Sequence, residues 1–241
     1  MRIALASYTF KNGDIDFNVS QIQKALLNAQ GKADIVCFGE AFLQGFDALC
    51  WDFEKDKKTA IKQDSELMKK ICELTTLYGV DLVFGYIEKA GESDEELYSS
   101  CAVVQNGKII HNYRRVSKGW KQFDITDYHY KEGNEIKPFL YRGREFLIAI
   151  CGDLWDFPER FKADCPIIWG VFVNYEGEYK EFLEEYTEQS SKVAHDVFMI
   201  NSLSDKPESH DIHGGAFHFC AGKIAAQTKN DTEDMLIVQI E

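Results

Sequence analysis

The sequence predicts an α/β fold: a mixed sheet, or two sheets, with helices on the outer faces. Three observations carry this. Strand-like and helix-periodic segments alternate β-α-β-α-β at the start, and later segments gather into hairpins. Of the 241 residues, 45% are hydrophobic, enough for a substantial core and too many for a disordered chain. Four prolines and no low-complexity tract argue against a linker, so residues 1–241 read as a single domain.

Residues 2–8 read as the first strand. Val19, Ile22, Leu26 and Ala29 then recur at helical spacing, and Gly31 is placed to end the helix. Asp34 to Phe38 is a short buried strand. Ala41 to Lys62, with Phe42, Phe46, Trp51 and Phe53, reads as a loop and short helix. Leu67, Ile71, Leu74 and Tyr78 form a second helical stripe closed by Gly79, and Val80 to Ile87 a strand. Tyr98 to Gln105 and Lys108 to Arg115 are joined by Asn106-Gly107, the strongest short hairpin signal. Phe139 to Tyr141, Phe146 to Ile150 and Ile167 to Val173 read as strands. Glu178 to His195 is the longest helix, with Phe182, Tyr186 and Val193 facing inward. Val197 to Ile200, a hairpin of Ala216 to Cys220 and Lys223 to Gln227 around Ala221-Gly222, and Met235 to Ile240 complete the strands.

The net charge of −13 disfavours nucleic acid and anionic membrane as partners, since both reward clustered Lys and Arg. The acidic group from Glu176 to Glu188 reads as a solvated helix face. Seven cysteines, an odd number with no zinc-like pair, suit a reducing compartment. Residues Met1 to Tyr8 look like a strand and not a signal peptide, and no apolar run approaches a membrane span. A cytoplasmic protein is expected.

The most informative stretch runs from Phe146 to Glu159. An apolar strand leads into Cys151, and Gly152, Asp153 and Pro158 break the run. That puts a thiol at the C-terminal tip of a strand, where open α/β sheets place their chemistry. The competing reading is a buried structural cysteine. A second tip, Asp34-Ile35-Val36-Cys37-Phe38-Gly39-Glu40, ends in a carboxylate.

A thiol nucleophile needs a base. His111 alternates on a hairpin strand and His195 ends a helix; neither position suggests one. His210 and His213 lie in a polar loop, and their spacing with His218 lacks an acidic or thiol partner, so no metal is expected. Glu40 is the better base, because apolar neighbours would raise its pKa toward the working pH. Alone, it could equally cap the following turn. Tyr113-Arg114-Arg115-Val116-Ser117-Lys118 supplies cations that would favour a thiolate and an oxyanion, or merely balance an acidic surface.

Together the three segments resemble the nitrilase superfamily of carbon–nitrogen hydrolases, in its amidase-like branch. The Cys element, Ile150-Cys151-Gly152-Asp153 through Pro158-Glu159, is one residue longer before its proline than the family pattern. Phe38-Gly39-Glu40 is similar to the family's Phe-Pro-Glu, with glycine for proline. The first strand, Asn201 and Gly214-Gly215 extend the resemblance over nearly the whole chain. It implies a four-layer α-β-β-α sandwich of two mixed sheets with outer helices, and a Glu-Lys-Cys catalytic set. Glu40 is then general base and acid, and Cys151 the nucleophile. The lysine departs from the pattern: Arg115 aligns with it, and Lys118 is the nearest lysine that could swing in. Asp124 or Asp127 could replace a second acidic residue of the family.

The resemblance further implies hydrolysis of a small amide, omega-amide or carbamoyl-type substrate through a thioester, with no cofactor and with a homodimer as the assembly. Nitrile hydrolysis is the lesser expectation. Substrate contacts are expected from Arg115, Gly152, Trp155 and Tyr130, with Phe42, Trp120 and Trp169 nearby. Three alternatives stay open: an isochorismatase-type hydrolase, which Glu40 and the Asn106-Gly107 hairpin disfavour; a binding or regulatory module with impaired catalysis; and acyl transfer to an amine.

Overall fold

Residues 1–173, 179–204 and 214–240 are described in the structure, a computed structural model. In chain order the elements are β1 (Arg2–Ser7), β2 (Thr9–Phe10), α1 (Ile15–Ala29), β3 (Ile35–Cys37), α2 (Phe53–Thr59), α3 (Glu66–Tyr78), β4 (Asp81–Ala90), β5 (Glu96–Gln105) and β6 (Lys108–Arg114). The second half comprises β7 (Phe139–Tyr141), β8 (Arg144–Ile150), α4 (Asp153–Asp156), β9 (Ile167–Val171), α5 (Tyr179–Ser191), β10 (Asp196–Asn201), β11 (Leu203–Ser204), β12 (Gly215–Cys220), β13 (Lys223–Gln227) and β14 (Asp234–Gln239).

Local chemistry sets the boundaries. Asp14 caps α1 by accepting from the Phe17 amide, and Ser65 caps α3 by accepting from Met68. Gly79 ends α3 in the left-handed conformation, as its position predicts. Asn106 and Gly107 both have positive φ, which lets a two-residue turn join β5 to β6.

The strands form two six-stranded mixed sheets, ordered β14-β1-β3-β4-β5-β6 and β13-β12-β10-β9-β8-β7. Each has a parallel core, β1-β3-β4 and β8-β9-β10, flanked by antiparallel strands. β2 and β11 make a small parallel pair.

Strand alternation separates the layers. Ile3, Leu5, Ile35, Cys37 and Val83 share one apolar cluster with Ile148 and Ile168, whose row of the second sheet faces the first. Their neighbours Ala4, Ala6, Val36, Leu82 and Phe84 turn the other way, onto Ile22 and Leu26 of α1 and Met68 and Ile71 of α3. On the far side Phe182 and Tyr186 of α5 close over the second sheet, Tyr186 stacked on Trp169. The result is the expected α-β-β-α sandwich. Burying each such large side chain contributes roughly 1.5–3 kcal/mol. Among the described residues, no helix is long and apolar enough to cross a membrane.

Candidate active site

Glu40 stands just beyond β3, at the parallel core of the first sheet. Its amide reaches across to the carbonyl of Val171 in the second sheet, at 3.4 Å. Two glycines permit this approach. A Cβ on Gly39 would lie 2.7 Å from the Val171 carbonyl oxygen, and one on Gly85 would lie 2.5 Å from the Ala41 nitrogen. Glycine at position 39, where the resembled pattern has proline, thus fits a close passage of backbone.

The Glu40 side chain is 1% exposed. Its Oε1 accepts from Arg115 Nη1 at 2.8 Å and from Ser99 Oγ at 3.0 Å. Its Oε2 is buried with no hydrogen-bond partner among the described residues. A buried acceptor left open costs about 1–3 kcal/mol unless something fills it.

Cys151 stands at the end of β8 with φ of +42°, a conformation that strains a non-glycine residue and turns the side chain out of the strand. Its amide donates to Gly170 at 2.9 Å, and its carbonyl accepts from the Trp169 indole at 2.9 Å. The thiol faces the Phe172 carbonyl at 3.9 Å, near enough to Glu40 and Arg115 to feel both charges. Burial, then the Glu40 carboxylate, push it up to about 12, while Arg115 pulls it down.

Arg115 follows directly on β6. Its amide donates to Ser99 and its carbonyl accepts from Gly133, which fixes the backbone. The guanidinium is 3% exposed; besides Glu40 it reaches Ser117 Oγ through Nε at 2.6 Å. Burial alone would lower its pKa, but the neighbouring Glu40, Cys151 and Asp153 outweigh it and hold the cation charged.

Asp153 ties these parts together. One carboxylate oxygen accepts from Tyr113 OH at 2.7 Å and the Ile150 amide at 2.9 Å. The other accepts from the amides of Val116 and Ser117 at 3.1 and 2.8 Å. One buried side chain therefore clamps the Arg115 segment onto the turn that carries Cys151. The three residues of Tyr113-Arg114-Arg115 have separate tasks. Tyr113 binds Asp153, Arg115 enters the site, and Arg114 makes a two-pronged pair with Glu88, at 2.9 Å for each bond.

Lys118 sits on the exposed turn past Ser117 and is not brought to Glu40 and Cys151. Asp124 is exposed, and Asp127 pairs with His129; neither joins the cluster. Tyr130 is buried and its hydroxyl donates to Asp56 at 2.7 Å, so that group is engaged in packing. Trp155 is half-buried against Trp169 and Tyr186. Trp169 acts from behind, on the Cys151 carbonyl. Phe42 packs between Phe10 and Phe38. His111 stacks on Phe139, and His210 and His213 lie outside the described residues.

Sequence reasoning gave Ser99, Ser117, Gly85 and the clamping by Asp153 no role. Ser99-Ser100, a polar pair within an otherwise apolar strand, was the available signal, because buried hydroxyls need partners. Metal donors lie elsewhere: among the described residues, His195, Asp196 and Cys220 each place one donor atom within 4.8 Å of the others. His218 binds the second oxygen of Asp196 at 2.8 Å.

Residues 2–241 match the family described as carbon-nitrogen hydrolase. The chain belongs to the carbon–nitrogen hydrolase family. Among curated relatives of this hydrolase is a glutamine-dependent NAD(+) synthetase from Thermotoga maritima, 27% identical over 161 residues. That match covers 65% of this chain and 26% of the synthetase, so the chain spans about a quarter of the relative's length. A probable nitrilase from Schizosaccharomyces pombe is 23% identical over 65% of this chain and 56% of its own.

Solved carbon–nitrogen hydrolases share the fold. A CN-hydrolase superfamily protein from Xanthomonas campestris, with an arsenic adduct in its active site, superposes with a TM-score of 0.81 at 15% identity. The alignment covers 100% of this chain and 90% of that one. A Nesterenkonia amidase variant, carrying the acetamide moiety of fluoroacetamide on its active-site cysteine, gives 0.76 at 16% identity with the same coverages.

Proposed function

We propose that this carbon–nitrogen hydrolase cleaves the C–N bond of a small amide through a Cys151 thioester. Glu40, Arg115 and Cys151 come from three strand ends in two sheets and converge, the two charges buried and the thiol half-buried; that convergence carries the reading. The unpartnered Glu40 Oε2 supports it, being a buried acceptor beside a thiol.

A thiol held near 12 is protonated at neutral pH, so its proton must leave as the bond to carbon forms. Glu40 takes that proton and the sulfur attacks the amide carbonyl. Arg115 and the Gly152 amide hold the oxygen that becomes negative. Glu40 then returns the proton to the leaving nitrogen, and ammonia or an amine departs. Water, deprotonated by Glu40, attacks the thioester, releasing the acid and restoring the thiol. Asp153 keeps Arg115 and Cys151 in register through both steps.

Arg115 in this role requires only a fixed cation with donors to spare, which a guanidinium provides at any working pH. Glutamine heads the substrate series, because the NAD(+) synthetases that the chain resembles are named for their dependence on it. The test is ammonia release from a panel of amides, omega-amides, carbamoyl compounds and nitriles, with Cys151→Ala as the blank. Release above the blank supports the reading; none across the panel overturns it. Added amines in the same assay show whether the thioester also passes its acyl group to nitrogen.

A further inference from the structure

Gly152 follows the nucleophile directly, yet nothing in its backbone calls for glycine. Its φ and ψ of −64° and −7° are ordinary right-handed helical values that any residue adopts. The need is for space. A Cβ on Gly152 would lie 2.7 Å from Arg115 Nη2, 3.2 Å from Ser117 Oγ and 3.6 Å from Ser117 Cβ.

The guanidinium is tethered at two nitrogens. Nη1 is held by Glu40 at 2.8 Å and Nε by Ser117 at 2.6 Å. The whole side chain is 3% exposed. A planar fork fixed at two of its three nitrogens cannot swing away without breaking a buried charged bond.

We infer that Gly152 is a positioning residue for Arg115. Its missing side chain is the slot into which the guanidinium fits, so that Nη2 lies beside the backbone that follows the nucleophile. The arginine and the glycine work as a pair, each suited to the other's volume. Nε and Nη1 have partners, whereas Nη2 has none among the described residues. Its N–H groups therefore stay available beside Gly152, the residue that follows Cys151. A substituent at position 152 would displace Nη2 and strain the bonds of Nη1 and Nε.

This inference rests on the proposed role of Arg115, but its test does not require turnover. The readout is the rate of Cys151 alkylation by iodoacetamide at fixed pH. It is followed by mass spectrometry of the Cys151 peptide in four proteins: wild type, Gly152→Ala, Arg115→Lys and the double variant. Arg115 favours the thiolate, so displacing it slows alkylation. Gly152→Ala is expected to slow the reaction at least about threefold when Arg115 is present, and to change it little when lysine replaces it. Residues in contact couple by roughly twofold to a hundredfold. Equal effects in both backgrounds would overturn the inference.

Should Gly152→Ala fail to fold, the thermal midpoint of the double variant decides. Recovery of the fold on shortening Arg115 to lysine supports the pairing, and its absence overturns it. The alkylation cycle reads the pairing even if no amide in the panel is hydrolysed, so the two failures are distinguishable.

Discussion

The two sheets contribute to the site in different ways. The first, through the ends of β3 and β6, supplies the charges, and it holds them by side chains: Glu40 by Arg115 and Ser99, Arg115 by Ser117. The second, through the end of β8, supplies the nucleophile, and it holds Cys151 by backbone: a left-handed turn, an amide bond to Gly170 and a carbonyl bond from Trp169. A buried charge needs partners that offset its desolvation, whereas a thiol needs only to be aimed. The charged half should therefore be costly to alter in both stability and activity, and the thiol half in activity alone.

Cys151→Ala gives the largest effect on that contrast. Loss of a nucleophile costs on the order of a millionfold in kcat. The thermal midpoint should move little, because the backbone bonds that hold the turn remain. A large drop in midpoint would break the contrast.

Glu40→Gln comes next. Losing a general base and acid lowers turnover by about 10²–10⁴. It also removes the carboxylate that helps raise the thiol, so the Cys151 pKa should fall from about 12. The sign follows from charge: a neighbouring anion opposes forming a thiolate, and a neutral amide does not. Ultraviolet thiolate absorbance, referenced to Cys151→Ala, should rise at lower pH than in wild type. A rise at higher pH would contradict the proximity.

Arg115→Met tests the same pair from the other side. Removing an oxyanion donor costs about 10²–10³ in kcat. It also leaves Glu40 buried without its cation, a loss of about 3–5 kcal/mol in chemical denaturation. The thiol should move opposite to its response in Glu40→Gln, to higher pKa, because a favouring cation is gone. Lys118→Ala is the smallest change. On an exposed turn it should alter stability by less than about 0.5 kcal/mol, and ammonia release should stay near wild type. A hundredfold fall in activity would move the catalytic cation from Arg115 to Lys118.

Much of the scaffold was legible because its signals are local. Continuous apolar runs placed β4, β5 and β8 within a few residues, and Asn106-Gly107 located the hairpin without any knowledge of its partners. The helical stripe at Leu67, Ile71 and Leu74 gave α3, and Gly79 its end. The connection after Cys151 was less legible, since α4 is only four residues long and is held by Asp153 bonds that cross between sheets. Tyr130 and Trp155 looked available for substrate because aromatic residues in loops are ambiguous. Only the bond from the Tyr130 hydroxyl to Asp56 and the packing of Trp155 on Trp169 and Tyr186 show what engages them.

The sequence alone determined the strand tips. An apolar run that ends in Cys151 and another that ends near Glu40 are written in short-range pattern, and so is the α/β class. Tertiary structure decided which cation meets them. Arg115 and Lys118 are three residues apart and both cationic at neutral pH, and no local rule separates them. Asp153 draws the backbone of Val116 and Ser117 onto the Cys151 turn, which buries Arg115 against Glu40 and leaves Lys118 in water. Placement of a charge depends on the partners that offset its desolvation, and those partners come from residues 75 and 36 positions away in the chain.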